Sequence, residues 1–126
     1  MSSPYLDDQV VPFYNHEGRA VGYVYDRQWI YLYDGTPVAW LSDEEFLYSY
    51  HGRYLGWFQD GWIRDRHGRA VFFVQGASGG PAKPARQARP ARGARHARPA
   101  RGAREARPAR PARSVSWSAH SDESFF

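Results

Sequence analysis

The sequence predicts an all-β fold, a pseudo-fourfold repeat of four β-hairpins, followed by a disordered Ala/Arg/Pro-rich tail. Three observations carry this. Gly18, Gly35, Gly52 and Gly68 recur at steps of 17, 17 and 16 residues. Each glycine separates two short aromatic and aliphatic runs of strand character. Composition then changes abruptly at Ser78-Gly79-Gly80-Pro81, beyond which the chain reads in triplets. The organisation expected is a lead over 1–10, the hairpin domain over 11–75, a basic linker over 76–113 and an aromatic segment over 114–126.

The lead, Met1-Ser2-Ser3-Pro4-Tyr5-Leu6-Asp7-Asp8, has neither a basic stretch nor an apolar one of signal-peptide type. No run approaches the ~18 apolar residues of a membrane span. The chain has no Cys, which excludes disulfides and thiolate zinc sites and fits a reducing compartment. A soluble, cytoplasmic protein is expected.

Aligned on their glycines, the four units read FYNHEGRAVGYV from Phe13, IYLYDGTPVAWL from Ile30, LYSYHGRYLGWF from Leu47 and IRDRHGRAVFFV from Ile63. Glu17, Asp34, His51 and His67 precede the glycines, and an X-Gly pair between alternating runs predicts a two-residue type I′ turn. Such turns pair Tyr14 with Val21, Tyr31 with Val38, Tyr48 with Leu55 and Arg64 with Val71. Alternation places Trp29, Tyr31, Val38 and Trp40 on one face of the second hairpin, and Phe46, Tyr48, Leu55 and Trp57 on that of the third. The other face carries Phe13, Ile30, Leu47 and Ile63 opposite Gly22, Ala39, Gly56 and Phe72. Small residues facing large aliphatic ones predict that the hairpins crowd around a common axis, with Phe72 the exception. A domain this small needs its aromatics as core.

These glycine, Tyr and Trp columns resemble the 4-fold beta flower domain over about residues 11–75. The resemblance implies architecture and brings no catalytic residue with it. The stretch from Trp29 to Trp40 is also similar to choline-binding and glucan-binding hairpin repeats. That similarity implies a sugar or quaternary ammonium ligand on Tyr31, Trp40, Tyr48 and Trp57, the same rings that the small domain needs as core.

Charge divides the chain. Residues 1–80 hold 6 Arg and no Lys against 10 Asp plus Glu, a net of −4; residues 81–126 hold 11 Lys plus Arg against 3, a net of +8. From Pro81 to Arg113 run eleven triplets, PAK PAR QAR PAR GAR HAR PAR GAR EAR PAR PAR, with a cation at every third position. Pro84, Pro90, Pro99, Pro108 and Pro111 exclude helix, at about 3 kcal/mol each in a helix interior. Gly at only 93 and 102 of its column excludes collagen. Polyproline II remains, with three residues per turn, about 9 Å per triplet and about 100 Å of reach.

Arg86, Arg89, Arg92, Arg95, Arg98, Arg101, Arg104, Arg107, Arg110 and Arg113 then form a cationic stripe suited to an anionic polymer such as RNA or DNA, without sequence specificity. Two other origins fit the same stripe: neutral expansion of GC-rich codons, and self-solvation of the aromatic domain, with contact to Asp43-Glu44-Glu45. Trp117, Phe125 and Phe126 lie in a polar setting as anchors for the domain itself, anchors for a partner, or parts of a frayed end.

Chemistry is sparse. His16, His51 and His67 lie at or beside turns, where a metal site is conceivable and ordinary surface histidines are the simpler reading. Arg19, Arg53 and Arg69 share the column after the glycines and read as solvated turn residues. No nucleophile triad, Walker loop or dinucleotide fingerprint is present. The expected protein is non-enzymatic, with no cofactor and no metal.

Overall fold

Each glycine column folds into one kind of loop. Gly18 donates its N–H to the Asn15 carbonyl at 2.9 Å, and Asn15 donates to Arg19 at 3.0 Å. The pattern recurs through Leu32/Gly35, Ser49/Gly52 and Asp65/Gly68. The glycines take φ of +81°, +95°, +92° and +86°, the left-handed region that costs glycine nothing. This is a three-residue loop, a type I turn closed by a left-handed residue, in place of the expected two-residue type I′ turn. In the first and fourth loops Asn15 and Asp65 fix the turn by accepting backbone N–H bonds from residues two and four positions on.

The computed structural model describes residues 3–126. Eight strands run in chain order: β1 (Val10–Tyr14), β2 (Ala20–Tyr25), β3 (Trp29–Leu32), β4 (Pro37–Leu41), β5 (Phe46–Tyr48), β6 (Tyr54–Gln59), β7 (Trp62–Asp65) and β8 (Ala70–Phe73). Every strand is antiparallel to the next, and β8 returns to β1 to close a barrel. The longer loops shift the first pair of each hairpin, so Tyr14 faces Ala20, Tyr31 Pro37, Tyr48 Tyr54 and Arg64 Ala70. The expected partners Val21, Val38, Leu55 and Val71 are bulged out of the ladder.

That bulge restores register one pair further on. Phe13 faces Gly22, Ile30 Ala39, Leu47 Gly56 and Ile63 Phe72, as the alternation predicts. Bulges bend strands and increase their twist, and one per hairpin helps to curl four hairpins into a closed sheet. They also turn Val21, Leu55 and Val71 into the apolar interior.

Phe13, Ile30, Leu47 and Ile63 line the barrel axis and are at most 1% exposed. A Cβ on Gly22 would fall 2.7 Å from the Phe13 ring, which is the crowding the small column exists to relieve. Phe72 fills the axis instead. Its ring lies 4.7 Å from Phe13 and stacks on Phe126 at 5.7 Å and 13°. Phe125 meets it edge-on, so the C-terminal pair plugs the turn end of the barrel. A 3-10 turn over Pro4–Leu6 inserts fully buried Leu6 into the same apolar core.

Residues 114–126 do not fray. Ala70 donates to Ser116 and Ser118 donates to Ala70, laying this segment parallel to β8. Ser121 Oγ accepts from His16 N at 3.0 Å and donates to the Val71 carbonyl at 2.6 Å. These bonds span the seam where β1 meets β8 through the single pair Tyr14 and Phe73. Among the described residues no helix is long and apolar enough to cross a membrane.

Candidate functional site: an arginine belt on an aromatic barrel

Polyproline II makes no internal hydrogen bonds, so every N–H in such a segment is free to bond elsewhere. In residues 81–113 proline occupies the first place of most triplets and has no N–H to give. The first places without proline are Gln87, Gly93, His96, Gly102 and Glu105, and Ser114 follows at the same spacing. All six donate to the barrel. Gln87, His96, Glu105 and Ser114 bond the carbonyls of Gly18, Gly35, Gly52 and Gly68 at 2.8 to 2.9 Å; Gly93 and Gly102 bond Tyr33 and Tyr50 at 2.7 Å.

The expectation of a disordered tail is thereby corrected. The segment is extended as predicted, but it is laid around the outside of the barrel as a belt, because the turns supply the acceptors and the barrel wall supplies the rings. The belt advances nine residues, or about 28 Å, for each hairpin. Its register is visible in the glycines. A Cβ on Gly18, Gly35, Gly52 or Gly68 would fall 1.9, 1.9, 1.8 or 2.4 Å from the carbonyl oxygen of Ala85, Ala94, Ala103 or Ala112.

Nine residues bring three arginines to each hairpin, and eight of the ten belt arginines meet a ring. Arg86, Arg95 and Arg104 lie 5.7, 6.0 and 5.4 Å from Tyr14, Tyr31 and Tyr48. Arg98 and Arg107 sit over Trp29 and Phe46 at 4.0 and 3.8 Å. Arg92, Arg101 and Arg110 sit over Tyr23, Trp40 and Trp57 at 5.6, 4.6 and 4.8 Å. Guanidinium over an aromatic face is attractive by about 0.5–1 kcal/mol when exposed. The tyrosine hydroxyls add to it, since Arg98 donates to Tyr31 and Arg107 to Tyr48.

A profile of the family described as 4-fold beta flower protein matches residues 11–126. The chain belongs to this family. The matched stretch runs past the hairpins, to which the resemblance in sequence was confined, and takes in the belt and the C-terminal plug of the flower. No curated protein and no solved structure matches the chain.

The flower's fourth unit departs from the pattern in a way that closes the belt. Arg64 stands in the Tyr14, Tyr31, Tyr48 column and is 0% exposed. Its guanidinium donates to the carbonyls of Gly79 at 3.2 Å, Ser114 at 2.6 Å and Gly68 at 2.7 Å. Gly79 is where the chain enters the belt and Ser114 is where it leaves. Arg64 is therefore a buckle that joins both ends to the fourth turn. Burial pushes its pKa below the ordinary arginine value, and the neighbouring Arg113 guanidinium adds to the shift. Arg113 itself is paired with Asp60. Ser116 stands where the next arginine of the period would fall, and Trp117 beside it packs on Trp62 at 5.5 Å.

Tyr31, Trp40, Tyr48 and Trp57 are 2%, 5%, 2% and 1% exposed, covered by the belt. A sugar or choline-like ligand stacking on them has to displace the protein's own guanidiniums. The contact foreseen with Asp43-Glu44-Glu45 does not hold the belt in place: no ion pair joins them among the described residues. His16 packs against Trp117 at 6.2 Å, and among the described residues no three His, Cys, Asp or Glu side chains gather as metal ligands. Arg19, read as a solvated turn residue, is paired with Glu123 of the plug. Sequence reasoning missed the nine-residue period and Arg64. The signal for the first was present in the prolines, which are absent at 87, 93, 96, 102 and 105, alternating steps of six and three.

Proposed function

We propose that the flower is a non-enzymatic binding protein whose arginine belt engages an anionic polymer, RNA or DNA, by charge and without sequence specificity. One observation carries this. Eight of the ten belt guanidiniums rest on aromatic rings. Only Arg113 has a carboxylate partner among the described residues. A ring orients a guanidinium but leaves its charge whole, and the edge N–H groups stay able to fork onto a phosphate. Nine positive charges thus stand in a fixed arc, held by the fold rather than ordered at the moment of binding, which lowers the entropic cost of association.

The test is fluorescence anisotropy of single-stranded RNA with the full chain. If 6 to 10 phosphates are engaged, affinity should fall by about 10³ to 10⁵ between 50 and 200 mM salt. Arg92→Gln, Arg101→Gln and Arg110→Gln together should weaken binding and lower the salt slope by about three. An intact flower that ignores RNA and DNA at low salt rules the reading out.

A further inference from the structure

The fourfold pattern also fails at the first hairpin, and a cavity opens there. In the second and third hairpins Trp29 and Phe46 lie under Arg98 and Arg107. The same column holds Pro12 in the first hairpin. Arg89, nine residues before Arg98, has neither an aromatic ring nor a carboxylate partner among the described residues. The cleft between belt and barrel measures about 500 Å³ beside Trp29 and about 550 Å³ beside Phe46. Beside Pro12 it measures about 1030 Å³.

The chemistry of the larger cleft is specific. Arg86 and Arg89 bring two positive charges to one wall, Tyr5 and Pro12 bring flat apolar surfaces, and Asp8 and Gln75 bring acceptors and a donor. A vacancy beside an unpartnered guanidinium, at the place where sister units hold a ring, is filled best by another ring. A guest that also carries an anion would use both arginines. Choline would be repelled by them, and a neutral sugar would leave their charge unanswered. Inorganic phosphate would leave the ring position empty.

We infer that this cleft binds a nucleotide unit, with the base stacked against Arg89 in the position of the missing ring and the phosphate against Arg86. Arginine stacks on bases and forks onto phosphate, and Asp8 and Gln75 are placed to meet the polar edge of a base. The volume is that of a small-molecule site. The inference rests on the belt reading, since it makes one nucleotide of the bound polymer the guest of a defined subsite. A free mononucleotide offers the same chemistry.

The experiment titrates the full chain with adenosine 5′-monophosphate, with ribose 5-phosphate as the ring-free control, by NMR or calorimetry. Single-stranded RNA is measured in parallel on the same variants. Pro12→Trp restores the ring column and fills the cleft; Arg89→Gln removes the stacking cation at an exposed site. The mononucleotide should bind about tenfold or more tighter than ribose 5-phosphate. Each variant should weaken it by a similar factor, while the salt slope for long RNA falls by no more than about one. If Pro12→Trp disturbs the fold by circular dichroism, Arg89→Gln decides.

Equal binding of the two phosphates, or mononucleotide binding indifferent to both variants, overturns the cleft and leaves the belt reading standing. Mononucleotide binding that both variants reduce, with no binding of RNA, sinks the belt reading and identifies a site for the free nucleotide. Reduction of both in step supports a subsite on a polymer.

Discussion

Gly35→Ala should destabilise the flower by about 3.5–5 kcal/mol, and more than half of that should come from the belt. Two costs are separable. The first is conformational: Gly35 sits at φ +95°, and a left-handed alanine costs about 1–2 kcal/mol. The second is displacement, because the new Cβ would lie 1.9 Å from the Ala94 carbonyl oxygen. Moving the belt away breaks the bonds from His96 to Gly35 at 2.9 Å and from Gly93 to Tyr33 at 2.7 Å. It also lifts Arg95 from Tyr25, where it sits at 3.8 Å. Two backbone bonds at about 1 kcal/mol each and one cation–π contact at about 0.5–1 kcal/mol give a further ~2.5–3 kcal/mol. Gly76→Ala is the control. Gly76 has a similar φ of +84°, but its added Cβ would meet nothing closer than 3.9 Å, so only the conformational cost applies. Urea unfolding followed by tryptophan fluorescence measures both. Equal losses in the two variants would mean that the belt adds nothing to the fold, and the reasoning would fail.

Three other outcomes follow from the same contacts. Arg64→Met removes the buckle and leaves the Gly79 and Ser114 carbonyls without their guanidinium; it should cost about 2–4 kcal/mol and speed tryptic cutting after Arg86 and Arg113, read by mass spectrometry. Phe126→Ala removes the ring stacked on Phe72 and opens the plug, with an expected loss of about 1–2 kcal/mol in the same urea assay. Burial pushes the Tyr33 and Tyr50 hydroxyls up to about 12 from 10.0. Because the folded state holds these protons more tightly than the unfolded one, stability is intact below pH 10 and falls as pH rises from 10 to 12. Absorbance titration at the tyrosinate band should show late hydroxyls, that of buried Tyr54 among them, of which Tyr33→Phe and Tyr50→Phe each remove one.

The barrel was legible where the residues speak about their own strand. Phe13 against Gly22 and Leu47 against Gly56 follow from alternation alone, and the common axis follows from their sizes. The loop type was not, because Glu17-Gly18 satisfies both a two-residue turn and a longer one, and only the bulge at Val21 reconciles the second with the register. The belt was illegible for a different reason. Judged alone, a chain rich in Pro, Ala and Arg has too little apolar surface to order itself. Its partners are turn carbonyls and the rings of Tyr23, Trp40 and Trp57, which stand some fifty to seventy residues earlier in the chain. In the sequence Arg64 reads only as a strand residue opposite Val71, because the carbonyls it joins come together only when the belt closes. The same distance hides the cleft, since Pro12 is an ordinary strand residue until Arg89 lies beside it.

Amide hydrogen exchange across residues 81–114 tests the belt most directly. Gln87, Gly93, His96, Gly102, Glu105 and Ser114 donate to barrel carbonyls. Their amides should be protected and those of the intervening alanines and arginines fast, a pattern repeating every nine residues and lost when Arg64→Met opens the buckle. Uniformly fast exchange through the whole segment, in a flower whose β1 to β8 amides remain protected, would contradict the account.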